Sequence, residues 1–226
     1  MSLQSILAIA ESVSINDKKF AGQMLSRNMR ISTSEILTVQ PFQFTINPMK
    51  YLQYSTNRAV LSALRTADRI TEQYINFGTT GWLNYIKYQG DMSSVQANAT
   101  TIEVGTTGKN IILGTLPAIT STLYIVKTGD FIQIDRYAYI ATADVQRGGA
   151  STVTIPVHRT IMTTVSAQSP AVIGQYGTTT SLGGSTYTGV TFPVVLRDYP
   201  TYTLVPMTND SFIQWDGAFN AYEVVL

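Results

Sequence analysis

Apolar and polar positions alternate most cleanly in FQFTIN, where Phe42, Phe44 and Ile46 fall on one face and Gln43, Thr45 and Asn47 on the other. A period of two marks a half-buried strand. Pro48 ends it, having no N–H to give to a ladder. Upstream, Met29, Ile31 and Thr33 oppose Asn28, Arg30 and Ser32. Leu25–Pro48 therefore reads as a long hairpin with one core face and one polar face, inside a region extended from Ser12 onward. The period then changes. Ala59, Val60, Ala63, Leu64 and Ala67 share one stripe over Ser55–Asp68, which predicts a helix, with Arg58, Arg65 and Arg69 mostly off the stripe and Asp68 near Arg65. Ile70–Phe77 clusters aromatic and branched residues before Gly78 and predicts a strand.

From about residue 92 to 188 the pattern shortens. SSVQANATTIEVG, NIILG, STLYIVKTGDFIQID, RYAYIATADVQ and STVTIPVHRTIM read as short β segments, with turn-like KTGD and QRGGAS. Strands at this spacing predict a small barrel or sandwich. GTTTSLGGSTYTG (Gly177–Gly189) reads as a flexible loop or an edge hairpin. The tail, with FPVVLRDYPTYTLVP and SFIQWDGAFNAYEVVL, resumes longer aromatic strands. The expected organisation is a first domain over 1–91, an inserted β-barrel over 92–188, and strands over 189–226 that return to the first domain. The fold class is mainly β with one main helix.

Composition changes the picture in one respect. Charged residues make up 13 % of the 226-residue chain, about half the roughly 25 % usual for soluble proteins. The apolar share, 44 %, is ordinary, so Thr, Ser, Gly, Asn and Gln replace the missing charge. Neutral polar surface suits a subunit packed against copies or partners, because charges are costly to desolvate at the centre of an interface. The net charge of +1 gives no sign of a general nucleic-acid or membrane-surface binder. The chain has no cysteine, which excludes disulfides, thiolate metal sites and a cysteine nucleophile. The opening MSLQSILAIAESVS is apolar for only about six residues and has no basic leader, so neither a signal peptide nor a membrane span is expected.

Candidate chemistry is sparse. GTTGKN (Gly105–Asn110) has the composition of a phosphate loop but lacks its spacing and a following helix, which favours a β-turn. His158 is the single histidine, so one chain cannot build a multi-histidine metal site. Asp130, Asp135 and Asp144 supply paired carboxylates for a glycosidase-like reading, although Asp130 lies in a TGD turn where a carboxylate commonly accepts backbone bonds. Tyr137 and Tyr139 share a strand face beside Arg136, a pattern for stacking on sugars or bases, or for plain core. Trp82 and Trp215 flank the middle region and are candidate interface anchors. No cofactor or metal is expected, and no catalytic residue.

Three stretches together resemble the distal tail proteins of tailed bacteriophages: RNMRISTSEILTVQPFQFTINP with NRAVLSALRTADR, then WLNYIKYQGDMSSVQ, then TLYIVKTGDFIQIDRYAYIATADV with VTIPVHRTI. The resemblance covers most of the chain as a pattern. It implies a tail-tube-like β-sandwich domain that closes into a hexameric ring, with an inserted OB-like (oligonucleotide/oligosaccharide-binding-like) barrel on the outside. A baseplate hub protein of a contractile tail, built on the same ring fold, fits equally. The implied role is structural and not enzymatic: a virion ring at the tail tip or baseplate, made in the bacterial host cytoplasm, joining the tail tube to the host-recognition apparatus. Implied partners are further copies, other tail and baseplate proteins, and DNA or tape-measure protein passing through the lumen, with no membrane. Under that reading Arg30 and Ser32 face the lumen. Two rival classes are a carbohydrate-binding β module of a host-contacting assembly, using Tyr137 and Tyr139, and an all-β hydrolase using an aspartate pair and His158.

Overall fold

The computed structural model of the chain describes residues 2–17, 21–25, 31–35, 41–49, 51–67, 69–79, 83–165 and 167–225. The protein is mainly β. It divides into two compact units, Met1–Ile75 with Pro193–Leu226, and Asn76–Phe192. The sequence expectation placed the cuts at 91/92 and 188/189. The segment after Asn76 groups with the second unit because Ile86, Tyr88 and Met92 are buried and Tyr88 and Met92 belong to that unit's core.

The first unit is built on a five-stranded sheet in the order Ala10–Asn16, Gln43–Pro48, Phe219–Glu223, Thr191–Leu196, Gln73–Asn76. Gln43–Pro48 is flanked on both sides, with Phe44 opposite Ile15 on one neighbour and opposite Ala221 on the other. The alternation read from the sequence is realised: Phe42, Phe44 and Ile46 are fully buried. Glu223 closes the inner edge of this ladder, where its carboxylate accepts the Phe42 N–H at 3.0 Å.

The expected Leu25–Pro48 hairpin is corrected. Ile31–Glu35 pairs with Ala21–Leu25, not with Gln43–Pro48. Gln43–Pro48 instead finds its ladder partners in distant segments, Ala10–Asn16 and Phe219–Glu223. EILTVQ, between the two strands, also lacks the Gly, Asn or Pro that a tight turn uses.

The predicted helix spans Tyr54–Ala67 and buries Leu61 and Leu64. Its first turn is capped from far along the chain: Ser55 donates its hydroxyl (2.7 Å) and its backbone N–H (3.3 Å) to the Asp210 carboxylate. A second helix, Ser2–Ala8, was not anticipated; it buries Leu3, Ile6 and Leu7 and packs on Tyr54–Ala67. The strand expected over Ile70–Phe77 is shorter, Gln73–Asn76, and runs into a 3-10 turn at Phe77–Thr79. A separate three-stranded sheet joins Tyr202–Met207, Asp210–Trp215 and Leu52–Gln53 in that order.

The second unit is made of short strands curled around one core, and the β segment expected over SSVQANATTIEVG is corrected: Ser94–Ala99 is a helix capped by Ser93 and Gln96, and only Thr101–Ile102 is strand. Phe131–Ile134 pairs with Tyr137–Ile140 and with Val172–Ile173. Ser169–Pro170, just before the latter, pairs with Thr101–Ile102, which pairs with Asn110–Gly114, which pairs with Val153–Pro156. A bridge from Val157 to Ala141 brings the pairing back beside Tyr137–Ile140. Ile111, Leu113, Ile125, Ile132, Ile155 and Ile173 are fully buried inside. Gly177–Gly189 contains a hairpin, Thr178–Leu182 with Ser185–Thr188. Among the described residues, no helix is long and apolar enough to cross a membrane.

Candidate functional site

The groups with catalytic potential are each tied into the fold. Asp130 is buried, and its carboxylate accepts the backbone N–H of Gln89 at 2.7 Å and of Lys127 at 2.8 Å. Burial raises its pKa above the ordinary 3.8, and the two N–H bonds work against that rise. Asp144 is exposed and accepts the N–H and the hydroxyl of Thr128 at 2.7 and 2.8 Å, bonds that hold its carboxyl below 3.8. Both carboxylates staple the 127–130 turn. Asp135 occupies the two-residue turn after Phe131–Ile134 with φ 54°. The acceptor bonds of Asp130 and Asp144 thus serve the 127–130 turn.

His158 serves the same end. Its Nδ1 accepts the Ile140 N–H at 2.9 Å while the His158 backbone N–H donates to the Ile140 carbonyl at 3.0 Å, so the imidazole and the main chain together extend a β ladder. Thr107 and Asn110 exchange backbone bonds of 3.2 and 3.1 Å, which makes Gly105–Asn110 a hairpin turn and not an anion cradle. Among the described residues, no group of three His, Cys, Asp or Glu could hold a metal ion.

The stacking role considered for Tyr137 and Tyr139 is corrected. Both rings are buried in the core of the second unit. The Tyr139 hydroxyl accepts the Met162 N–H at 2.9 Å, and its ring lies 5.3 Å from the buried Arg159 guanidinium. Neither ring offers a face to a ligand; their shared strand face points inward. Trp215 is half-buried on Asp210–Trp215, edge-on to Tyr202 at 5.6 Å, and its indole N–H is buried without a partner among the described residues. Trp82 and Arg30 lie outside the described residues, and Ser32 is described only through its backbone pairing with Met24.

The surface feature that stands apart is the strand Tyr202–Met207. Among the described residues it has one ladder partner, Asp210–Trp215, and so forms the edge of its sheet. Leu204, Val205 and Met207 are 41 %, 37 % and 41 % exposed, on both faces of the strand. The Asp216 N–H donates to the Thr201 carbonyl at 3.0 Å. Counting along the register, the residues that bond inward are Thr203, Val205 and Met207. The main-chain N–H groups of Tyr202 and Leu204 therefore point outward, and Pro206 offers only a carbonyl. On the opposite side of this sheet, just before Leu52–Gln53, Tyr51 is exposed and packs edge-on against Phe212 at 6.2 Å. Natural edge strands are usually blunted by charge or proline; this one carries no charge and one proline, Pro206, which leaves the Tyr202 and Leu204 N–H groups open.

Sequence reasoning passed over TYTLVPM as one more returning strand. Its signal was a run of β-forming residues without a charged side chain in a chain already short of charge. No protein-family model matches the chain, and no curated protein matches it.

Proposed function

We propose that the protein is a structural subunit of a phage tail, closing into a ring, hexameric in the first reading, at the tail tip or baseplate between the tail tube and the host-recognition apparatus. One observation carries the proposal: an uncharged, apolar edge strand, Tyr202–Met207, with the Tyr202 and Leu204 N–H groups aimed outward. A second copy presenting another strand edge supplies the missing ladder bonds and covers Leu204, Val205 and Met207. Pairing of two different edges is heterologous, and heterologous contacts close into rings when the rotation fits. Ala10–Asn16, one of the two outer strands of the five-stranded sheet among the described residues, is a candidate complement within the first unit.

The tail-tube-like fold of the first unit and the OB-like barrel of the second are part of the same proposal. The circuit of short antiparallel pairings around the second unit's core supports the barrel. The scarcity of charge supports a subunit that is mostly covered, and a polar, uncharged lumen that DNA or a tape-like protein passes without sticking.

Sedimentation velocity on the full chain tests the proposal. The wild type forms a closed oligomer at micromolar concentration. Leu204→Pro deletes an outward N–H without touching an intrachain ladder bond, and yields a folded monomer. A wild type that stays monomeric at every concentration, or a Leu204→Pro variant that assembles as the wild type does, overturns it.

A further inference from the structure

The second unit contains a cavity of about 710 Å3 between the helix Ser94–Ala99, the ends of Phe131–Ile134 and Val172–Ile173, and residues 163–165 and 167–171. Its size falls in the range of small-ligand sites, roughly 300–1,000 Å3. Ile134, Val165 and Val172 give it an apolar floor. The rim is polar and neutral: Asn98, Thr164, Gln168, Ser169 and Thr178. Among the described residues the lining holds no Lys, Arg or His and no aromatic ring, and Asp135 is its one carboxylate.

Two rim amides are fixed by one end. The Asn98 carbonyl oxygen accepts the Gly177 N–H at 2.6 Å, so its Nδ2 is held outward as a donor. Gln168 donates Nε2 to Glu103 at 2.7 Å, so its Oε1 is presented as an acceptor. Gly177, at φ 87°, has its α-carbon so close to the Ala171 carbonyl that a Cβ would lie 2.7 Å from it. That close approach seats Thr178 at the wall. The result is a preorganised set of one amide donor, one amide acceptor and several hydroxyls around an apolar floor.

We infer that this cavity binds a neutral saccharide. Each sugar hydroxyl both donates and accepts, which matches a lining of mixed polarity whose one charged group is the acceptor Asp135, while the C–H faces of the ring meet Ile134, Val165 and Val172. A phosphate or nucleic acid would need a cation that the described lining does not contain. An extended peptide would be held chiefly by ladder bonds to a strand edge, whereas the polar groups fixed at this rim are side-chain amides, Asn98 and Gln168. This inference goes beyond the ring and holds for the chain alone or assembled.

The test is saturation-transfer difference NMR on the full chain with maltose, cellobiose, lactose and chitobiose as probes. At least one disaccharide gives a saturable signal with the wild type, and Asn98→Ala/Gln168→Ala weakens it about tenfold. Thr164→Val/Thr178→Val weakens it as well and serves should the first pair fail to fold. Val95→Ala, on the exposed side of the same helix, leaves it unchanged. The inference is overturned if no disaccharide gives a signal, or if both double variants bind like the wild type. It is equally overturned if a Ser-Thr-Ser-Thr peptide gives the variant-sensitive signal while no sugar does.

Discussion

Gln133→Leu removes a side chain that looks like surface in the sequence and is buried in the structure. Its amide makes four bonds. The oxygen accepts the Thr191 N–H at 2.8 Å and the Thr179 hydroxyl at 3.3 Å, and the nitrogen donates to the Thr191 carbonyl at 2.9 Å and the Asp135 carbonyl at 3.2 Å. The amide thus imitates a strand backbone for Thr191, which is itself fully buried. Leucine fits the volume but leaves the Thr191 N–H and carbonyl in an apolar setting. Each orphaned group costs about 1–3 kcal/mol, and burying leucine in place of an amide returns about 1–2 kcal/mol. The middle of those ranges leaves a net loss of about 2.5 kcal/mol, a fall in Tm of roughly 5–10 °C for a chain of this size. Thermal unfolding followed by far-UV circular dichroism reads it. Thr179→Val, which loses only the 3.3 Å bond, costs less than about 1 kcal/mol. A Gln133→Leu variant melting within about 1 °C of the wild type would refute the reasoning, since the shift expected from two orphaned groups is several times larger.

Other outcomes follow from single contacts. Gly174→Ala places a Cβ 2.7 Å from the Ile86 carbonyl at a residue with φ 56°, and lowers stability by roughly 2–4 kcal/mol in denaturant unfolding. Tyr88→Phe deletes a hydroxyl that donates to the buried Ile125 carbonyl and accepts the Met92 N–H at 3.3 Å; the expected loss is about 1–3 kcal/mol by the same measurement. Asp130 gives a pH dependence. Its folded pKa lies above the ordinary 3.8, so between those two values the folded chain holds more protons than the unfolded one. Its contribution to stability falls as pH rises through that window. Urea unfolding from pH 4 to pH 7 thus shows the wild type losing ground to Asp130→Asn, and the opposite slope would contradict the assignment.

The sequence carried the local features well. Alternation in FQFTIN located the buried face of Phe42, Phe44 and Ile46, and helical spacing located Tyr54–Ala67 to within a residue or so. Pairing partners were not local. Gln43–Pro48 is bracketed by Ala10–Asn16 and Phe219–Glu223, contacts that span most of the chain, so a neighbour-to-neighbour hairpin was the wrong inference. Tyr137 and Tyr139 could equally have faced core or solvent, because a shared strand face does not say which side the core lies on. Gln133 was invisible for a related reason: an amide in a strand usually signals surface, and only the fold reveals a backbone group waiting for it. The saccharide-sized cavity draws its lining from separate segments between Asn98 and Thr179, which no motif joins.

The central claim is that copies of this chain join along the Tyr202–Met207 edge to form a ring. Cryo-electron microscopy of the full-length protein, concentrated to promote assembly, measures this most directly. The expected image is an annulus with a central hole, in which Tyr202 and Leu204 donate their outward N–H groups to a strand of the adjacent copy. A ring whose subunits meet elsewhere, with this strand bare to solvent, would contradict the account, as would a field of single copies at every concentration.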